Sequence, residues 1–170
     1  YKIGCSYLPA PEMDFIVRKP TGLYNGMLAP CQKLAVKGIV WYQGESNDRN
    51  PGSYEQLLYR LISSWRKKWN EELPFILVQL PAFSIDLPEE NSGWPIIREA
   101  QRQAAHSLPL VKMTVNLDLG EWNDLHPLRK KEAAYRAAEA AMLFEQGDNR
   151  PELGPVPVVI KKHEEKISVT

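Results

Sequence analysis

The hydrophobic positions of the chain alternate between strand-like runs and helix-like periods. Short apolar runs predict strands at residues 37–43, 75–80 and 110–117. Amphipathic or alanine-rich segments predict helices at residues 24–36, 54–69, 94–106 and 127–144. The second strand is apolar nearly throughout, which is typical of a parallel strand covered on both faces. This order predicts an α/β fold in which a parallel sheet lies between two layers of helices.

The most regular period is the helix at residues 54–69. Ser53 is a favourable N-cap, and Gln56 three residues later predicts a capping box. The apolar positions recur every three or four residues and comprise Tyr54, Leu57, Leu58, Leu61, Ile62, Trp65 and Trp69. Charged residues are expected on the outer face, namely Glu55, Arg60, Arg66, Lys67 and Lys68. The pattern indicates one amphipathic helix packed on the sheet.

Proline and glycine mark the limits of the other helices. Pro30 lies inside the first predicted helix, where a proline breaks or kinks the backbone. Pro95 is expected in the first turn of the third helix, where its missing N–H costs nothing. Gly147 is expected to end the last helix.

The last twenty residues change character. Residues 156–161 and 166–170 alternate like strands and predict a hairpin across 163–165. We therefore expect residues 1–150 to form the α/β part and residues 151–170 to begin a separate β-rich segment. The chain starts at Tyr1 without a Met and stops within a strand-like pattern, so we expect it to be a piece of a longer protein.

Composition narrows the class of protein further. The chain has 170 residues, a formal net charge of zero and 44% hydrophobic residues, which is ordinary for a globular domain. Because no basic cluster stands out, the sequence gives no support for a nucleic-acid partner. No apolar run approaches the roughly 18 residues that a membrane-spanning helix needs, so no span is predicted.

Two polar stretches follow predicted strands. Residues 41–47 read Trp-Tyr-Gln-Gly-Glu-Ser-Asn after the first strand, and residues 123–127 read Asn-Asp-Leu-His-Pro beyond the third. Open α/β sheets build their sites in the loops beyond the carboxyl ends of the strands. We therefore expect the two stretches to meet, and together they suggest an ester hydrolase.

His126 is the candidate base. A neutral imidazole accepts a proton, and the positive end of the helix predicted from Pro127 disfavours the charged imidazolium. Asp124 lies close enough in sequence to orient the ring. The alternative is a histidine that only caps that helix. Glu45 could likewise orient His126 or bind a substrate hydroxyl, or it could be an ordinary loop carboxylate.

Other polar and aromatic residues give weaker signals. Ser46 stands in a Gly-x-Ser turn, but the nucleophile elbow requires a second Gly where Asn47 stands. Asp118, Glu121, Asp124 and His126 have the right types for metal ligands without the usual two-histidine spacing, which disfavours a metal site. Trp122 is the best candidate for stacking on a ligand, whereas the tryptophans at 41, 65, 69 and 94 are expected in the core.

Several stretches, taken in order, resemble one family. They are Pro20-Thr21-Gly22-Leu23-Tyr24-Asn25, Lys37-Gly38-Ile39-Val40-Trp41-Tyr42-Gln43-Gly44-Glu45-Ser46-Asn47, Pro74-Phe75 with Val78-Gln79-Leu80, Trp94 with Arg98-Glu99-Ala100-Gln101, and Asn123-Asp124-Leu125-His126-Pro127. From about residue 18 to 145 the chain is similar to the later part of a sialate O-acetylesterase-type domain, a carbohydrate-esterase branch of the SGNH hydrolases.

The resemblance implies a fold and an activity. The fold is a flavodoxin-like αβα sandwich, followed by a β-rich segment. The activity is removal of O-acetyl groups from sugars such as sialic acid or a plant or bacterial glycan, xylan included. The family uses a Ser nucleophile and a His base, so we expect no metal or other cofactor. The resemblance also implies a periplasmic or extracellular location.

The resemblance assigns roles to particular residues. His126 is the base, and its acid is Asp124 or the Glu of the Gln-Gly-Glu motif, Glu45. The oxyanion-hole and substrate-binding residues are Gln43, Gly44, Ser46, Asn47 and Asn25.

No residue of this chain matches the position of the family's nucleophile. It lies in a Gly-Gln-Ser-Asn-type turn near the start of the domain, and that motif does not occur in this chain. We therefore expect the Ser to come from another segment or chain. The alternative is a catalytically inactive sugar-binding or scaffold module. In either case we expect an uncovered sheet edge or core face where a partner binds.

Overall fold

The computed structural model describes residues 21–83, 92–154, 159–164 and 166–169. The chain divides into two compact units, Tyr1–Ala35 and Val36–Thr170. In the first unit the chain forms a π-helical turn, Tyr24–Leu28, followed by a 3₁₀ helix, Ala29–Lys33. The helix predicted for residues 24–36 thus ends at Lys33 and changes from π to 3₁₀ geometry beside Pro30, where a break or kink was expected.

The second unit contains a four-stranded parallel sheet in the order β1-β2-β3-β4. The strands are β1 (Ile39–Trp41), β2 (Phe75–Val78), β3 (Val111–Thr114) and β4 (Glu152–Leu153). Three helices accompany them, α1 (Tyr54–Trp69), α2 (Trp94–Ser107) and α3 (Lys130–Glu145). The parallel sheet is confirmed. The short β4 lies beyond residue 150, and no pattern in the sequence predicted it.

The two faces of β2 are covered by different helices. Phe75 and Leu77 pack into one core cluster with residues of α1 and α2. Ile76 and Val78 point the other way and pack against Ala137 and Ala140 of α3, together with other residues. Because successive strand residues alternate between faces, one apolar strand joins both cores. The predicted three-layer αβα architecture is confirmed.

The tail forms the predicted antiparallel hairpin within the residues described. Its strands are β5 (Ile160–His163) and β6 (Lys166–Val169). The predicted strand positions 156–158 and 170 lie outside the described residues. All four residues of each strand are exposed, so this small sheet contributes nothing to the core clusters of the α/β part.

Two details of α1 differ from the prediction. Ser53 donates to the Asn50 carbonyl (3.1 Å) instead of capping the helix, because a 3₁₀ turn at Pro51–Ser53 runs directly into α1. Arg66 was expected on the outer face but is 7% exposed and donates to the carbonyls of Leu73 (3.0 Å) and Pro109 (2.7 Å). The periodicity of α1 alone could not predict this burial, because the carbonyls that cover Arg66 come from segments outside the helix.

Strand β1 and the start of α3 also need correction. The first strand was predicted to be buried, yet Val40 is 58% exposed because, within the described chain, β1 pairs with β2 alone. Helix α3 begins at Lys130, so three residues separate it from His126. The helix dipole acts mainly within the terminal turn, and its predicted effect on His126 is correspondingly weakened. At its far end Gly147 adopts the expected left-handed conformation (φ +71°).

A buried glutamine of α2 joins the carboxyl ends of the first two strands. The Nε2 atom of Gln101 donates to the carbonyls of Gln43 and Val78 (both 3.4 Å), and its Oε1 atom accepts the Leu80 N–H (3.1 Å). The side chain is fully buried. One amide therefore fixes both strand ends relative to α2.

We predict that Gln101→Leu lowers the free energy of unfolding by about 1–3 kcal/mol, because it leaves buried backbone groups without partners. Gln103→Leu is the matched control, since among the described residues the Gln103 side-chain amide bonds only to the exposed Glu99 carboxylate of the same helix. Urea unfolding of both variants measures the difference. Equal losses in the two variants would contradict the bracing role.

Candidate active site

The two polar stretches meet at one cavity. Because the sheet is parallel, the carboxyl ends of β1, β2 and β3 lie at the same edge. A cavity of about 500 Å³ lies there. It is lined by Glu45, Ser46, Asp48 and Arg49 beyond β1, by Phe83 beyond β2, by Trp94 of α2, and by Leu125. We call residues 43–47 the Gln43 turn and residues 118–126 the His126 loop.

Gly44 gives the Gln43 turn its shape. Its backbone has φ +153° and ψ −20°, and the residue is buried. A Cβ at this position would lie 2.9 Å from Ile97 Cγ2 and 3.0 Å from Leu80 Cδ1. Glycine alone meets both requirements, the conformation and the close approach. The chain can thus leave β1 and enter a 3₁₀ turn at Glu45–Asn47 directly.

Hydrogen bonds hold the polar groups of the Gln43 turn. The Gln43 Nε2 atom donates to Asn47 Oδ1 (2.8 Å), and the Tyr54 hydroxyl donates to the Gln43 carbonyl (2.8 Å). Burial raises the pKa of Tyr54 to about 12, so this hydroxyl stays protonated at neutral pH. The Asn47 backbone N–H bonds to the Gly44 carbonyl (2.8 Å). The turn is therefore fixed before any ligand arrives.

The Glu45 carboxylate is partly buried and belongs to the same turn. Its Oε2 atom accepts the Gly44 N–H (2.9 Å). The neighbouring Asp48 also faces the cavity, and its Oδ1 atom is buried with no hydrogen-bond partner in the described chain. The cavity wall thus contains two carboxylates. Glu45 accepts the N–H of the preceding residue, and Asp48 has one oxygen without a hydrogen-bond partner in the described chain.

His126 is exposed and follows a tight turn. The Asp124 Oδ1 atom accepts the backbone N–H of His126 (2.7 Å), and Glu121 and Asp124 form a short antiparallel bridge. Among the residues described, no side chain bonds to the His126 ring. The structure therefore brings Asp124 to the backbone of His126, and its predicted contact with the imidazole stays a prediction. The same holds for Glu45.

The base of the His126 loop is anchored to α3. Arg136 forms two hydrogen bonds with the Asp118 carboxylate (2.6 and 2.7 Å) and donates to the Val115 carbonyl (2.7 Å). This pairing lowers the pKa of Asp118 to about 2. Asp118 is thus occupied as an anchor. In residues 21–83, 92–154, 159–164 and 166–169, no group of three His, Cys, Asp or Glu side chains could hold a metal ion.

The tryptophans divide as the sequence indicated. Trp94 is 3% exposed and donates to the Pro81 carbonyl (2.7 Å), while Trp41, Trp65 and Trp69 are half-buried against the core. Trp122 is 69% exposed. Five residues that line the cavity were not predicted as site residues, namely Asp48, Arg49, Phe83, Trp94 and Leu125. For Phe83, its position just beyond a strand end is the signal that could have identified it.

Asn25 lies in the first unit. Its side-chain amide donates to the Thr21 hydroxyl (3.4 Å), and its backbone N–H donates to the Thr21 carbonyl (2.8 Å). The residue is exposed and sits in the π-helical turn. These contacts explain its local conformation, and its predicted part in substrate binding stays a prediction.

Comparison with known proteins places this cleft in a family. The family described as "Carbohydrate esterase, sialic acid-specific acetylesterase" matches residues 12–142, which include the Gln43 turn and the His126 loop. The chain belongs to this family. The sialate O-acetylesterase of Mus musculus is 32% identical over 158 residues, which cover 82% of the chain. That of Homo sapiens is 34% identical over 164 residues, which cover 84%.

A solved structure agrees with the family assignment. The crystal structure of a novel carbohydrate acetylesterase from Xanthomonas citri matches with a TM-score of 0.69 and 37% identity, covering 75% of this chain. The match covers 30% of that protein, and the mouse and human relatives are covered over 29% and 31% of their lengths. The chain therefore spans less than a third of these family members.

We predict that Gly44→Ala lowers the free energy of unfolding by about 1–3 kcal/mol. Alanine rarely adopts this backbone conformation, and its Cβ would lie too close to Ile97 Cγ2. Gly52→Ala is the matched control, since a Cβ there meets no atom within 4 Å. Denaturant unfolding midpoints of the two variants provide the measurement. If both variants unfolded at the same midpoint, the special role of Gly44 would be excluded.

Proposed function

We propose that this chain carries the base and the oxyanion-binding part of a carbohydrate O-acetylesterase site. The substrate would be an O-acetylated sugar, on sialic acid or on a plant or bacterial glycan. The observation that supports this most directly is the shared cavity. Glu45 and Ser46 line it from one strand end, and Leu125, between Asp124 and His126, lines it from the other side. Family membership supports the same reaction class.

The proposed reaction uses two proton transfers by one imidazole. A Ser hydroxyl attacks the acetyl carbonyl carbon while His126 removes its proton. The resulting imidazolium gives that proton to the sugar oxygen, so the sugar leaves as an alcohol and the acetyl group stays on the Ser. Water then releases acetate by the same steps. Asp124 or Glu45 stabilises the imidazolium.

The oxyanion of each tetrahedral intermediate needs hydrogen-bond donors that are already in place. Two backbone N–H groups of the Gln43 turn are occupied, because the Gly44 N–H bonds to Glu45 and the Asn47 N–H bonds to Gly44. The Asn47 side-chain NH₂ group makes no hydrogen bond within the described chain. We propose that this group is a donor to the oxyanion. The bond from Gln43 to Asn47 Oδ1 holds it in position.

We infer that the nucleophile arrives on a segment that pairs with the open edge of β1. A parallel strand beside β1 would end next to the Gln43 turn, so a Ser at its end would face the cavity. The exposed Val40 and an apolar groove of about 400 Å³ lie at this edge. The groove is lined by Ile39, Val40, Ile76, Met142 and Phe144, among others. An edge that no other strand of the described residues occupies is suited to strand addition.

We also propose a periplasmic or extracellular location, where glycans carrying O-acetyl groups are accessible to an esterase. Family membership is the support for this assignment. Across the described ranges, no helix is long and apolar enough to cross a membrane. We propose two partners for this chain: the acetylated carbohydrate, and the segment that pairs with β1 and carries the Ser.

We predict that the longer protein containing this chain hydrolyses a simple aryl acetate and that His126→Ala lowers kcat about a thousandfold or more. The physical reason is loss of the group that carries the proton in both half-reactions. The matched control is His163→Ala, because His163 lies exposed on the hairpin. Initial rates under saturating substrate give the comparison.

Three results would overturn parts of this account. Full activity of the His126→Ala protein would remove the base. Hydrolysis by the 170-residue chain alone, lost on Ser46→Ala, would place the nucleophile in the Gln43 turn. An intact protein that binds acetylated sugars saturably without hydrolysing them would establish the sugar-binding module instead.

Isosteric amides separate the two candidate acids. Asp124→Asn keeps an oxygen that accepts the His126 backbone N–H, and Glu45→Gln keeps one that accepts the Gly44 N–H, so each removes only the negative charge. We predict that one of the two lowers kcat by about 10³–10⁴-fold and the other by less than about tenfold. Near-native kcat in both variants would exclude a carboxylate–histidine pair of either kind.

A further inference from the structure

Within the described chain, His126 has few contacts of its own to hold it in place. The residue is exposed, and its backbone N–H bonds to the Asp124 carboxylate two residues earlier (2.7 Å). The next residue, Pro127, is buried but carries no N–H, so it adds packing and no hydrogen bond from its nitrogen. A displacement of about 1 Å in a catalytic group can lower the rate about a hundredfold. The position of His126 therefore depends on how the rest of its loop is fixed.

Arg136 of α3 joins the end of β3, before the loop, to the helix that follows the loop. Its guanidinium donates two hydrogen bonds to the Asp118 carboxylate (2.6 and 2.7 Å) and one to the Val115 carbonyl (2.7 Å). A longer contact reaches the Asn116 Oδ1 atom (3.4 Å). Two parallel bonds between a guanidinium and a carboxylate fix orientation as well as distance. The entrance of the His126 loop is thus held against the helix at its exit.

Arg129, directly before α3, closes the same segment a second time. Its Nη1 atom donates to the Asp118 carbonyl (3.1 Å), eleven residues back along the chain. Asp118 therefore binds Arg136 through its side chain and Arg129 through its backbone. His126 lies between residues 118 and 129, so both contacts close the segment that carries it. Joining the ends of a loop reduces the conformational freedom of the residues between them.

Packing fixes the two residues that follow Asp118. Leu119 is 2% exposed. The Gly120 backbone passes so close to Ala82 that a Cβ would lie 1.9 Å from the Ala82 carbonyl oxygen. Residues 118–120 therefore form a fixed base, from which the loop extends until Leu125 reaches the cavity.

Folding stability gives little reason for so complete a set of bonds at Asp118. The side chains of Arg136 and Asp118 are 31% and 57% exposed, and ion pairs this exposed usually contribute little to stability. Because the arginine lowers the pKa of Asp118 to about 2, the pair stays charged wherever an imidazole titrates. The accurate placement of a base on an exposed loop does require such a set.

We propose that Arg136 is a positioning residue for His126, which holds Asp118 and thereby sets the place of the His126 loop beside the Gln43 turn. The inference rests on the proposed function, in which His126 is the base. Arg136 is not among the described residues that line the cavity at Glu45 and Ser46. It acts through the loop and does not contact the substrate.

The test compares two arginine variants of the longer protein with an aryl acetate as substrate. Arg102→Met is the matched control for Arg136→Met, because Arg102 binds the Glu99 carboxylate with the same two-bond geometry (2.8 and 2.7 Å) and is 33% exposed. We predict that Arg136→Met lowers kcat about 10- to 100-fold with little change in KM. Arg102→Met is expected to keep the native kcat. Equal kcat in the two variants would overturn the proposal.

Further variants show whether the loss passes through His126. In the His126→Ala protein, adding Arg136→Met is expected to lower the residual rate no further, because the group that it positions is absent. Arg136→Lys keeps the charge but loses the planar fork, so its kcat is expected between those of the native protein and Arg136→Met. A loss of the same factor with and without His126 would assign Arg136 another role and overturn the proposal.

Hydrogen exchange tests the placement of the loop without catalysis. Peptides covering residues 119–126 are expected to exchange faster in Arg136→Met than in the native protein or Arg102→Met, with equal urea midpoints for the two variants. A much lower midpoint for Arg136→Met would assign the arginine to global stability and overturn the proposal.

The outcomes separate this inference from the proposed function. Unchanged exchange and unchanged kcat in Arg136→Met, in a protein whose hydrolysis requires His126, would reject the positioning role and leave the esterase intact. Faster exchange of the loop, in a protein whose hydrolysis does not require His126, would reject the proposed base and retain Arg136 as the residue that places the loop.

Discussion

The buried amide of Gln101 is the constraint on which the site depends. It bonds to the end of β1 at the Gln43 carbonyl and to the segment after β2 at Val78 and Leu80. Both strand ends are thereby fixed against α2, and the Gln43 turn begins from a rigid point. Gly44 then lets the backbone turn sharply against Ile97. Glu45 and Ser46 of this turn consequently line the cavity without prior rearrangement.

Much of this arrangement could be predicted from sequence because it depends on local periodicity. Three features are visible in the sequence itself: the apolar run of β2, the three- and four-residue spacing of apolar positions in α1, and the polar residues that follow the strands. Long-range contacts carry no such signal. The burial of Arg66 depends on the Pro109 carbonyl, and the two-residue strand β4 depends on pairing with β3, and both partners are distant in sequence.

The Gln43 turn and the His126 loop hold polar groups in fixed positions beside the cavity. The amides of Gln43 and Asn47 are held in place, and Asp124 fixes the backbone of the exposed His126. We propose that a serine on a neighbouring strand completes the set. The edge of β1, which no other described strand occupies, offers a place for that strand.

The most direct measurement is to identify the serine that reacts with a fluorophosphonate. Such a reagent forms a stable ester with an activated serine hydroxyl, and peptide mapping of the longer protein by mass spectrometry identifies the modified residue. The account predicts one labelled serine outside these 170 residues, with labelling abolished by His126→Ala. Labelling of Ser46, or labelling that persists without His126, would contradict it.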